Sequence, residues 1–312
     1  MKNLFYNPFE GRIRAGWRIL LFCIIFWCLA TVSLAIKPIF GEMTKREYLS
    51  NYSLIIVLIL AVAATVAVWY CRRRLDKKAF RSLGLKTSKR SWMDLIFGFV
   101  LSSLMAGTFL LLTLLFGLVE ITGFNWGAAT GDIATPVGFT GMMKSFTLFT
   151  LLLLFLEHLM VGYWEELVFR GYLFQNMTDG LGLIPAILIS CLLYGAMHHL
   201  NPNATYLSSI IIILFGFLRI YGYLATGMLW LSMGMHIGWN FFQGPVFGFA
   251  ASGHEKASWL ELSFSGPNWL SGGSFGPEGS LLIIPIVLLA LWIMKMWSRR
   301  SKDAYQLQPS MS

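Results

Sequence analysis

The stretch "LFTLLLLFLEHLMVGYWEELVFRGYLF", residues 148–174, reads as a helix built for hydrocarbon. It nevertheless holds Glu157, His158, Glu165, Glu166 and Arg170. An ionised side chain near the centre of a bilayer costs at least a few kcal/mol, so such residues are kept for a partner or for chemistry. The rest of the chain has the same character. Its 312 residues are 56% hydrophobic and 12% charged, where soluble domains carry about 25% charge. Mean hydropathy is +0.66. A water-soluble protein of this size has no interior large enough for so much apolar surface. The composition therefore implies an all-α, polytopic membrane bundle: an integral, multi-pass protein, in the cytoplasmic membrane if the source is bacterial.

Eight apolar runs are candidate spans: 17–37, 53–70, 93–121, 144–177, 182–200, 205–223, 227–247 and 280–297. Most approach the roughly 20 residues that cross about 30 Å of hydrocarbon. The first lacks a small-residue cleavage site and reads as a span, not a signal peptide. Positive charge gathers in three places. These are Lys2, Arg12, Arg14 and Arg18, the segment 71–90 with nine basic residues against Asp76, and Lys295, Arg299, Arg300 and Lys302. With eight spans all three fall on one side, which the charge rule makes cytoplasmic, both termini included. The opposite loops are balanced, with Glu42 and Glu47 against Lys45 and Arg46, and Asp132 alone in 122–143. Segment 248–279, rich in Gly, Ser, Pro and Trp, reads as an exterior loop with Trp259 and Trp269 at the interface. The chain reads as a single domain, 1–312.

Several functions are set aside. Net charge is +9, but no basic stripe with interleaved aromatics occurs in a soluble segment, which argues against nucleic acid. Cys23, Cys28, Cys71 and Cys191 form no CxxC pair, and neither a disulfide framework nor a zinc knuckle follows. No GxSxG sequence marks a serine nucleophile.

The membrane-embedded polar residues define the chemistry. Glu166 and Arg170 stand at i,i+4 with the acid first, the favourable order for a helical ion pair. Glu165 points about 100° away and is left without a helical partner. A desolvated carboxylate of this kind can take a proton from water. "YGAMHHLN" places His198 and His199 near the end of the fifth run, and "HIGWN" places His236 and Asn240 on one helical face of the seventh. Measured from the basic side at 1.5 Å per residue, Glu165 lies at ~18 Å, His198 at ~24 Å and His236 at ~14 Å. These depths permit a shared site in the half of the bilayer facing the basic segments. A carboxylate and a histidine sharing a water make it a nucleophile, and a second histidine with an amide suits a developing oxyanion. Hydrolysis of an amide without a covalent intermediate follows. A zinc ion held by His198, His236 and one glutamate is the competing arrangement, although HExxH is absent.

These residues carry a resemblance. The sequence resembles the CAAX protease and bacteriocin-processing (CPBP, or Abi) family of intramembrane endopeptidases. The family pattern EExxxR is matched by Glu165, Glu166 and Arg170. FxxxH is matched by Tyr194 to His198, with Tyr for Phe, and HxxxN by His236 to Asn240. The resemblance covers 144–247, and "FRSLGL" ahead of the third run is also similar. It implies a catalytic Glu165 and a water-orienting His198. His236 and Asn240 would stabilise an oxyanion, and Glu166 and Arg170 would support the site. It also implies a peptide or lipidated-protein substrate met among membrane lipids, entering from the basic, cytoplasmic face. Glu157, a helical neighbour of Glu165, reads as a helper or as a residue near the exterior rim. The readings that compete are a non-catalytic bacteriocin-immunity or peptide-binding protein and a proton-coupled transporter using the same charges. Neither accounts for Asn240 one turn after His236.

Overall fold

Each apolar run folds as a helix because its backbone polar groups have no water to bond and must satisfy one another. The computed structural model describes residues 2–32, 53–125 and 148–299. The helices that build the bundle are α1 (Ala15–Ala30), α2 (Ser53–Arg74), α3 (Lys89–Leu115), α4 (Leu148–Leu181), α5 (Leu183–His198), α6 (Tyr206–Thr226), α7 (Trp230–Phe241) and α8 (Ile283–Ser298). Four of them, α2, α3, α4 and α6, have 21 to 34 residues and are apolar enough to cross a membrane. Helices α1, α5 and α8 have 16 residues each. Helix α7 has 12 residues and is walled in by its neighbours. The protein is a helical membrane bundle.

Boundaries follow local chemistry. Gly182, at φ 82°, turns the chain from α4 into α5. Gly227, at φ 66°, caps α6 and donates its N–H to Tyr223 O at 2.8 Å. At the other end of α6, Thr205 and Ser208 form a reciprocal capping box, which satisfies two otherwise orphaned donors.

The sequence places helix over 93–121, but α3 ends at Leu115. Past Gly117, the β-favouring Val119, Ile121 and Thr122 enter strand β1 (Val119–Phe124), antiparallel to β2 (Leu260–Phe264). Segment 248–279 thus contributes a strand, and its final turns pack inward. Glu278 is 1% exposed and accepts from Trp239 Nε1 at 2.8 Å and from Ser252 Oγ at 2.5 Å.

Helix α7 sits against α3 through small residues. A Cβ on Gly234 would stand 2.0 Å from Leu95 O, and one on Gly98 2.4 Å from Leu231 O. One on Gly238 would meet Ser102 Oγ at 2.4 Å. Hydrocarbon offers helices no hydrophobic drive to associate, so close backbone contact of this kind holds them together. Large apolar side chains such as Leu104, Leu111, Leu192 and Leu288 face outward, as lipid contact requires.

The three basic segments meet at one end of the bundle. Asp76, 1% exposed, pairs with Arg18 at 3.2 Å and Arg72 at 3.0 Å and accepts from Tyr172 and Asn176. Asp179 binds Arg12 at 3.1 Å and Lys78 at 3.2 Å. Asp94 accepts from Trp297 Nε1 at 2.8 Å, which brings in the end of α8. Arg18 and Arg72 are therefore buried structural partners as well as markers of orientation. Glu42, Lys45, Arg46, Glu47, Asp132, Arg300 and Lys302 lie outside the described residues, as do positions 33–37 and 144–147 of the first and fourth apolar runs.

Candidate active site

Glu165 stands at the middle of the 34-residue run of α4. Directly after Glu166 the helix widens into a π-helical stretch, Leu167–Leu173. Such a widened turn is frequent at functional sites, where it re-aims side chains. Here Arg170 still reaches back to Glu166, Nη1 to Oε1 at 3.2 Å.

The two adjacent carboxylates have different surroundings. Glu166 is fully buried and saturated with donors: Arg170, Ser232 Oγ, and His236 Nδ1 at 3.0 Å. Glu165 is 16% exposed at its side chain. It accepts from Tyr194 OH at 3.1 Å and lies 3.8 Å from His236 Nε2. One carboxylate is thus tied into the packing while the other retains lone pairs facing a cavity.

That cavity, about 430 Å³, is lined by Glu165, Tyr194, His198, Arg219, His236 and Asn240 among others. The candidates from three separate helices therefore share one space. His198 Nδ1 is 2.8 Å from Tyr194 O, so that nitrogen carries the proton and a neutral ring offers its Nε2 lone pair. His236 is fixed in the same way through Nδ1 by Glu166. Asn240 Oδ1 lies 3.4 Å from Gln243 Nε2, which turns the Asn240 amide nitrogen away from that contact.

The neighbouring candidates separate cleanly. His199 is bound to Ser209 Oγ at 2.9 Å and stacks on Tyr206, outside the cavity lining. His158 lines the cavity with its Nδ1 2.7 Å from Leu154 O. Glu157, also in the cavity lining, is held by Lys256 Nζ and Ser53 Oγ, both at 2.9 Å.

Arg219 is a residue the sequence reading did not single out. It is 3% exposed, donates to Tyr194 OH, and stands over the Tyr194 ring at 5.4 Å. Its signal in the sequence is plain: it is the one charged residue in the run 206–226. The hydroxyl of Tyr194, where the family pattern has Phe, connects Arg219 to Glu165.

The lining also includes Ser53, Glu157 and Lys256, and Ser53 begins the helix that ends in Arg72, Arg73 and Arg74, so part of the cavity lies toward the end of that helix away from its basic turn.

Among the described residues, no group of three or more His, Cys, Asp or Glu side chains is arranged to hold a metal ion.

Comparison with known proteins finds a likeness in the same region. Residues 146–242 match the family described as type II CAAX prenyl endopeptidase Rce1-like. That segment of the chain is similar to this family. All three motifs lie inside the match, and this agrees with the resemblance drawn from EExxxR, FxxxH and HxxxN. The chain is also 25% identical over 272 residues, 77% of its own length and 80% of its relative's, to the uncharacterized protein YyaK of Bacillus subtilis (strain 168). Beyond residues 146–242, that similarity extends to the flanking helices.

Proposed function

We propose that this integral membrane protein is an endopeptidase of the CAAX type, hydrolysing a peptide bond in a membrane-associated peptide or lipidated protein. The carrying observation is the convergence of Glu165, His198, His236 and Asn240 on one polar cavity inside an apolar bundle. In this reading Glu165 and His198 Nε2 hold the attacking water between them, and Glu165 takes its proton. Asn240 and His236 face the carbonyl oxygen as negative charge develops. The tetrahedral intermediate then collapses as the proton passes from Glu165 to the leaving amine. Glu166 and Arg170 support His236 and take no part in proton transfer. Tyr194 and Arg219 are positioning residues that hold the Glu165 carboxylate. This reading is of a glutamate-based reaction, with Glu165 as the base beside His198 and His236.

A farnesylated CAAX peptide and its unprenylated counterpart, presented in proteoliposomes and followed by mass spectrometry of the products, test the substrate class. Cleavage of the prenylated peptide alone supports a CAAX-type substrate. Equal cleavage of both points to hydrophobic peptides in general. Intact peptides after incubation with folded protein would count against the reading.

A further inference from the structure

A second cavity, about 660 Å³, opens at the end of the bundle where the basic segments meet. It shares no lining residue with the catalytic cavity. Four cationic side chains line it, Arg72, Lys78, Arg81 and Lys86, against one anion, Asp179. Two of the four are engaged. Arg72 binds Asp76, Ser82 and Gln175, and Lys78 binds Asp179. Arg81 and Lys86 are exposed and have no side-chain hydrogen bond or ion pair among the described residues.

The backbone that presents these two cations is pinned. Leu229 N–H donates to Gly84 O at 3.0 Å, Gln175 Nε2 to Leu83 O at 3.0 Å, and Trp230 Nε1 to Lys86 O at 2.8 Å. The remaining wall includes the apolar Phe174, Leu183, Leu224 and Met228. Trp230 stacks with Trp92, 57% exposed, at 6.1 Å between ring centres. Paired tryptophans mark the headgroup level of a membrane. The site thus combines a fixed frame, two uncommitted cations and an apolar wall at the depth where lipid phosphates lie.

We propose that this cavity binds the phosphate headgroup of an anionic phospholipid, with the acyl chains along Leu183 and Leu224. Basic pockets between helices on the side of the positive segments are suited to such headgroups. Free phosphate shares the charge, but it gains nothing from the apolar wall or the interfacial tryptophans.

Native mass spectrometry of the full chain in detergent, with phosphatidylglycerol and phosphatidylcholine of matched acyl chains, tests the assignment. The wild type should retain one phosphatidylglycerol in preference to phosphatidylcholine. R81Q/K86Q should hold it about thirty-fold less tightly, since each cation near the surface contributes about five-fold. R73Q/R74Q removes the same charge from exposed positions outside the cavity and should bind as the wild type does. If R81Q/K86Q misfolds, R81K/K86R preserves the charge and should retain the lipid, and brominated phosphatidylglycerol should quench Trp230 fluorescence in the wild type. Equal retention of both lipids overturns the proposal, as does equal weakening by the two glutamine pairs. Displacement of the lipid by millimolar inorganic phosphate would make this a site for soluble anions and overturn the lipid assignment.

Discussion

At the residue scale, two adjacent glutamates with unlike surroundings carry the account. Glu166 meets three donors in a fully buried position, so Glu166→Gln should destabilise the protein by about 3 kcal/mol, because a buried charge on Arg170 loses its partner. Thermal unfolding of the purified variant reads this. Tyr194→Phe removes the hydroxyl that donates to Glu165 but keeps the ring. It should lower kcat about ten-fold with KM little changed, the effect of losing one hydrogen bond to a charged group. An unchanged kcat would remove Tyr194 from the positioning role. Much of this site is legible in the sequence. The i,i+4 spacing couples Glu166 to Arg170 and leaves Glu165 over, and the HxxxN spacing puts His236 and Asn240 on one face. What the sequence does not show is which groups meet across helices. Tyr194 and Ser232 reach the two carboxylates from other helices, with Arg219 behind Tyr194, and no local periodicity encodes that.

At the element scale, α7 sets the positions of His236 and Asn240 by its close approach to α3. Gly234→Ala would force a Cβ against Leu95 O, a backbone atom with no room to yield. The expected cost is about 1–3 kcal/mol, together with loss of activity as His236 is displaced. A thermal melt and a peptidase assay on the same preparation would show both losses. Activity intact in a destabilised protein would separate the helix contact from the site. The eight helices are readable as apolar runs, yet the ends of two elements are not. The apolar stretch past Leu115 turns into β1, and its partner β2 lies more than 130 residues away in sequence, beyond the reach of any local pattern. The π-helical turn after Glu166 has no counterpart in hydrophobic periodicity, since one residue added to a turn leaves a uniformly apolar pattern unchanged.

At the scale of the whole molecule, buried ion pairs on Asp76 tie the basic segments together at one end of the bundle. Asp76→Asn leaves Arg18 and Arg72 without their shared counter-charge. It should lower stability by about 3 kcal/mol while sparing turnover in the molecules that remain folded. Activity normalised to folded protein distinguishes this from a catalytic effect. The positive-charge pattern shows which segments lie together, and the structure brings those segments to one end. The pattern says nothing about which end the cavity faces, because the helices that surround it are apolar along both halves. The most direct test of the central claim compares Glu165→Gln with the wild type in cleaving a fluorogenic, membrane-anchored peptide in proteoliposomes, with equal folding verified by melting temperature. The variant should lose at least about a hundred-fold in kcat, the scale of a missing general base, with substrate binding retained. Cleavage by an equally folded Glu165→Gln protein at the wild-type rate would contradict the account.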